Sequence, residues 1–488
     1  MAVEMRRMRT RSIMLSLLAL LIWAVAAQGA AVRLVVKETS LGKPPAGALA
    51  RTLQAAPDGR SFAQIIELHP GRAVLLNGQA GATYNGVVEG SLLFSPDGKR
   101  LAYLAAAGNP SVTMGFTLSA PENAQPAPIL DKRMLVVDGA AGAAYDDVLG
   151  DSIRFSADGK RLGYVVEVGE KALVVVDGVA GPTYDEISEG SFRFSPDGKR
   201  TVYSAVREKK YVVVTDGVEG PEYDEVGYGI AFSADSQHLA YAARRGTEWL
   251  LLTDGKETAG AVGDGKNVRL AGDGRVAYVE KRGAKRSVVV DGAAGPEYDN
   301  IGQMRFSPDD KRFAYSARRG DKWLVVVDGV EGPEFESRGG VRFNFTPDGK
   351  HVTYTISSGR RTALVVDGVA GQAYEEIGRG GVRFSKEGNH VAYVITRNEK
   401  QQVVLDGVEG GQYDEIVGLR FSPDGKYLAY TARRGERWLV VVGEEESPEY
   451  DALPPGGEIN FDGPRQLHFL ARRGEEMVMV EATLSVER

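Results

Sequence analysis

The phrase FSPDGKRLAY, starting at Phe94, returns along the chain with small changes. It reads FSADGKRLGY from Phe155, FSPDGKRTVY from Phe194, FSPDDKRFAY from Phe306, FTPDGKHVTY from Phe345 and FSPDGKYLAY from Phe421. Weaker copies begin at Phe232, Leu270 and Phe384, and eroded ones lie around Pro57 and Phe461. A second phrase, VVDGVEGPEYDEI, alternates with it. The chain is therefore one structural unit used about eleven times, and a fixed period constrains a fold before any local motif does.

The period can be counted on the aspartate of the second phrase. Asp138, Asp177, Asp216, Asp254, Asp291, Asp328, Asp367 and Asp406 stand 37 to 39 residues apart. Asn77 fills the same place 61 residues before Asp138. The surplus, residues 107–131, is rich in Pro, Ser and Ala and reads as a surface-loop insertion.

One unit reads as four strands. In residues 191–226, SFRFS alternates apolar and polar residues. Ser195-Pro196-Asp197-Gly198 is a turn, with Pro suited to its second position and Gly to its fourth. RTVYSAV is a second strand, REKK a turn, and YVVVT a third strand whose apolar run implies burial on both faces. DGVEGP reads as a loop and EYDEV as a short fourth strand. No stretch after residue 30 keeps a long helical period, so the expected class is all-β. Such a sheet exposes two apolar faces, and stacking copies face to face covers both. The expected architecture is a β-propeller of about eleven four-stranded repeats. Eleven exceeds the usual four to eight blades. That leaves one unusually large ring, or two propellers dividing near residues 255–273, where the repeat erodes.

SPDGK(R)xxAY followed by a VVVDG strand resembles the TolB-type, WD-repeat-like propeller repeat of bacterial periplasmic proteins and of prolyl-oligopeptidase-type peptidases. The resemblance covers nearly all of residues 51–488 and implies a fold, not an activity. The repeats begin without the smaller α/β domain that precedes the TolB propeller, and VDGVEGPEYDEI is foreign to that family's repeat.

Residues 1–30 carry Arg6, Arg7, Arg9 and Arg11, an apolar run over 13–27, then small residues. This is the layout of a signal peptide, so residues 31–488 are expected in the periplasm or outside the cell. A retained N-terminal membrane anchor is the variant reading. The chain has no Cys, hence no lipid anchor on Cys, no disulfide and no thiolate metal site. Its formal charge is −7; the leader holds four Arg against Glu4, so the remainder is near −10. That argues against a nucleic-acid partner or broad adhesion to anionic lipid.

Basic pairs mark the loop between the second and third strands: Arg244-Arg245, Lys281-Arg282, Arg318-Arg319, Arg360-Arg361, Arg433-Arg434 and Arg472-Arg473. Trp249, Trp323 and Trp438 follow closely, in RRGTEW, RRGDKW and RRGERW. Arg and Trp anchor interfaces, and Arg suits carboxylates, so Arg244, Arg245, Arg318, Arg319, Arg433, Arg434 and the three Trp form a candidate docking arc for an acidic envelope or extracellular protein or an anionic glycan. The competing reading is repeat chemistry, with each Arg paired internally and each Trp packed between blades.

No calcium loop of DxDxDG type, GxSxG elbow or HExxH helix occurs, and no cofactor is implied. The expected function is that of a non-enzymatic binding or scaffold protein. The alternative is a glycan lyase or hydrolase with carboxylates gathered at the central channel, which needs no local motif.

Overall fold

The computed structural model describes residues 32–107, 132–227, 229–259, 268–337, 340–359, 361–378, 381–455 and 458–486. The expected signal segment, residues 1–30, lies outside them, as do insertion residues 108–131 and residues 260–267 of the stretch where the repeat erodes.

Eleven antiparallel sheets succeed one another along the chain, each with four strands in order or with one strand split in two. We number them blades 1 to 11. Blade 4 shows the plan. Its inner strand is Arg193–Phe194, helped by Glu186–Ile187. Thr201–Arg207 and Lys210–Thr215 follow, then an outer strand, Val218–Tyr223. The sequence reading of DGVEGP as a loop and EYDEV as the fourth strand is corrected here. Asp216 and Gly217, with φ of 53° and 80°, make a two-residue hairpin turn, and VEGPEY is the outer strand. Two positive-φ residues suit the strand twist, so Asp-Gly suffices and frees the next six residues. Pro221 is tolerated because the outer strand has a free edge. Glu225–Val226 already belongs to the inner strand of blade 5. Among the described residues the helical segments are two short 3-10 turns, Ala50–Thr52 and Gly150–Ser152.

Burial lies between blades. Val174, Tyr184, Phe192, Tyr203 and Val212 fill the space between blades 3 and 4, and equivalent clusters join each later pair. Ala240, Leu251, Val268 and Tyr278 do so between blades 5 and 6, across the eroded stretch. The circuit closes at its ends. Val32–Gly42 pairs with Glu476–Val486 as the outer strand of blade 11, whose other strands come from the C-terminal end. Blade 11 then packs on blade 1 through Leu470 and Met477 against Ala55 and Phe62. His468, 3% exposed, joins the same two blades through Nε2 and the Asp58 carbonyl, 2.6 Å apart.

The FSPDG turns are built as their sequence predicts. The Gly198 N–H donates to the Ser195 carbonyl, and the Ser195 hydroxyl to Asp197 at 2.6 Å. That hydroxyl, then the Lys199 N–H, pulls the Asp197 carboxyl down to about 2. Gly98, Gly198 and Gly425 have φ of 72°, 74° and 72°. A Cβ on Gly198 would also stand 2.9 Å from the Ser156 Cβ of the preceding blade.

Candidate binding face and channel

The FSPDG and Asp-Gly turns share one end of the ring, the turn face. The opposite end carries the hairpins between second and third strands. The basic pairs sit on this hairpin face, with one shift. In blade 8 Arg361 opens the third strand, pairing with Ser358, and Arg360 lies outside the described residues. Ala107 N–H donates to the Lys132 carbonyl at 2.6 Å, so the 107–131 insertion leaves from a hairpin of this face.

The second arginine of five of the six pairs is held internally. Arg245 makes two bonds to Glu257, at 2.9 and 2.7 Å, and lies 5.2 Å from the centre of the Tyr223 ring of the preceding blade. The Tyr223 hydroxyl donates to the same Glu257 at 2.9 Å. Arg319 repeats this with Glu331, Glu334 and Tyr298, and Arg434 with Glu446, Glu449 and Tyr413. The arginine first, then the tyrosine, holds Glu257 and Glu331 below the usual carboxylate range.

The first arginines differ among themselves. Arg244 bonds Glu225 at 3.1 Å, and Arg433 bonds Glu415 at 3.1 Å while lying over Trp438. Blade 7 has Asn300 where those glutamates stand, and Asn300 accepts from Arg286 instead. Among the described residues no ion pair or hydrogen bond joins Arg318 to a carboxylate, although the nearby Asp299 feels its charge. Trp323 is 7% exposed in the core between blades 7 and 8, and Trp249 and Trp438 are half-buried. The proposed arc is thus on one face, but five of its six arginines are committed to carboxylates of the same chain.

Arg318 lines an open cavity of ≈ 1010 Å³ with Arg269, Arg305 and Arg342, floored by the edge of Trp323, with Asp321 its one carboxylate. A second cavity on blades 3 and 4, ≈ 460 Å³, is acidic, with Asp151, Glu167, Glu170, Asp185, Glu186 and Glu189 outnumbering Arg154 and Lys171 on its walls. Among the described residues no group of three or more His, Asp or Glu is placed to hold a metal ion.

One set of residues escaped the sequence reading. The residue before the Phe of each turn phrase lies on the innermost strand, and in six blades it is arginine: Arg154, Arg193, Arg269, Arg305, Arg383 and Arg420. These strands touch one another from blade to blade, as strands around an axis do. The signal was the recurring RF of IRFS, FRFS, MRFS, VRFS and LRFS, readable only once the repeats are aligned on the ring.

No family model matches this chain, and no curated protein does. Solved structures that it matches include a eukaryotic initiation factor, at 14% identity and TM-score 0.39, covering 77% of this chain and 92% of that one. The propeller of the Trilobed protease from Pyrococcus furiosus matches at 11% identity and TM-score 0.26, covering 60% and 93%. TolB from Acinetobacter baumannii matches at 14% identity and TM-score 0.23, covering 59% and 78%. Likenesses at this level leave the fold to rest on the chain's own eleven sheets: a β-propeller, able to carry protein or ligand interactions, without a specific family.

Proposed function

We propose that this chain is an exported, non-enzymatic binding or scaffold propeller that takes an acidic partner on its hairpin face. The observation that carries the reading is Arg318. In blades 5 and 10 the equivalent guanidinium is matched by Glu225 or Glu415, whereas blade 7 offers Asn300 and leaves the charge at the mouth of the basic cavity. A charge that meets Asp299 only through its field, without an ion pair or hydrogen bond, is available to a partner that arrives. The acidic cleft on blades 3 and 4 gives the same face a second sign, which orients a partner and disfavours one of uniform charge.

The test is capture from an envelope extract by residues 31–488, wild type against Arg318→Glu. Capture should weaken in the variant and fade as salt rises, because exposed charges are screened. Unchanged capture by Arg318→Glu ends the reading.

A further inference from the structure

Many arginines elsewhere among the described residues are neutralised in place. On the turn face Arg100, Arg161, Arg200 and Arg312 each bond the Asp of their own Asp-Gly turn. On the hairpin face five of the second arginines bond glutamates. The inner-strand arginines break this pattern. Arg193 reaches the Ile230 carbonyl at 3.1 Å, Arg269 the Met304 carbonyl at 3.0 Å, and Arg305 the Asn344 side chain at 3.3 Å, each in the next described inner strand. Arg154 and Arg383 reach only the carbonyls of their own neighbours. Among the described residues only Arg420 of the six has a carboxylate partner, Glu458.

No blade has Asp or Glu at this position. Burial, then Arg305 and Arg193, lowers the Arg269 pKa, so these like charges feel one another across blades. Arg154 borders the acidic cavity on blades 3 and 4, and Arg383 shares a cavity with Arg420 and Glu458. Arg193, Arg269 and Arg305 are left as like charges gathered without counter-charge, which opposes folding. Such a band is explicable where an anion completes it.

We infer that the axial channel is a binding site for a compact polyanion, a small frame bearing several phosphate, sulfate or carboxylate groups. The six guanidiniums occupy the same repeat position, so they form one band around the axis. A ligand charged around its own perimeter meets many of them at once, with planar forks that match oxyanions. A linear polyanion threaded along the axis presents one short stretch to the band at a time. Arg342, one side-chain step toward the hairpin face, widens the band into the cavity at blades 7 and 8. This site does not rest on the docking reading, because Arg193 and Arg383 lie outside both the Arg318 cavity and the acidic cleft.

The experiment is titration calorimetry with myo-inositol hexakisphosphate as probe, against linear polyphosphate of equal total charge and inorganic phosphate. The proteins are wild type and the double variant Arg193→Gln, Arg383→Gln. Wild type should bind the hexakisphosphate saturably, at least about 10-fold tighter than linear polyphosphate and with its melting midpoint raised. The variant should lose at least about 10-fold in affinity, roughly the loss of one charge-assisted contact or more. Its unliganded midpoint should change little, since only single hydrogen bonds to backbone carbonyls, and no ion pair, are removed. Three results overturn the inference: no saturable binding, equal binding by the variant, or equal affinity for the linear chain. A variant that melts lower without ligand does so too, by making these arginines structural. Loss of hexakisphosphate binding with partner capture intact separates this site from the docking face.

Discussion

Arg319 lies over the ring of Tyr298, 5.4 Å from its centroid, and the two residues belong to neighbouring blades. The Tyr298 hydroxyl donates at 2.7 Å to Glu331, the carboxylate that Arg319 also bonds. Three side chains therefore tie blade 6 to blade 7. The residue next to Arg319 has no such tie, so adjacent positions have opposite roles. Arg319→Met should lower the melting midpoint by about 1–2 °C, while Arg318→Met should leave it unchanged. Calorimetry of the two single variants checks this. Equal melting would mean that the tie contributes nothing.

The turn glycines give a graded series. Gly217 needs a positive φ, but a Cβ there would meet nothing within 4 Å. Gly217→Ala should cost about 1 kcal/mol, the usual price of a strained φ alone. Gly198→Ala adds a clash with Ser156 and should cost more. Urea unfolding orders the two, and the reverse order would contradict the packing of successive FSPDG turns.

Three blades carry His in place of the turn-face arginine, and two of these, His238 and His390, give the ring a pH dependence. The hydrogen bond that His238 donates to Asp254 raises its pKa, and the one that His390 donates to Asp406 does the same. A raised folded pKa means stability that is complete below the unfolded value and lost as pH rises through the folded one. The melting midpoint should therefore fall as pH rises above about 6.5. His238→Arg with His390→Arg restores the residue of the other units and should flatten that slope. A slope unchanged in the double variant would assign it to other groups.

Ring closure predicts the effect of a deletion. Without residues 32–42, Glu476–Val486 becomes an unpaired edge strand in blade 11. The shortened protein should self-associate in light scattering, because open edges pair with other chains. A monomer melting like the full protein would show that the strand is dispensable.

The unit and its number were legible because they rest on local chemistry. SPDG makes its turn whatever surrounds it, and the positive φ of Gly198 follows from its place in that turn. The fourth strand was misframed because two residues, Asp216 and Gly217, do the work assigned to six. Charge was legible and its neutralisation was not. RRG shows two guanidiniums, but the carboxylate of Arg319 lies 12 residues on and its tyrosine lies in another blade. The channel band was hidden for a related reason. FRF reads as ordinary strand alternation until the ring sets which edge faces the axis. The pairing of residues 32–42 with 476–486 has no local signal at all.

That last pairing sets an order of assembly. A chain made from its first residue onward completes ten sheets before the partner of its opening strand exists. Until then Glu38 has neither of the two groups it finally holds, the Tyr450 hydroxyl at 2.9 Å and the Arg473 guanidinium at 2.7 Å. These are the same three side-chain types that join blade 6 to blade 7, here shared between opposite ends of the chain. The final latch thus repeats the chemistry of the interior seams. Arg33, Lys37 and Glu38 give the waiting strand charge to stay in water while the rest of the arc forms. Once shut, the circle has no terminal blade to fray, and its lifetime is set by the rate at which one seam opens rather than by the strength of any single sheet.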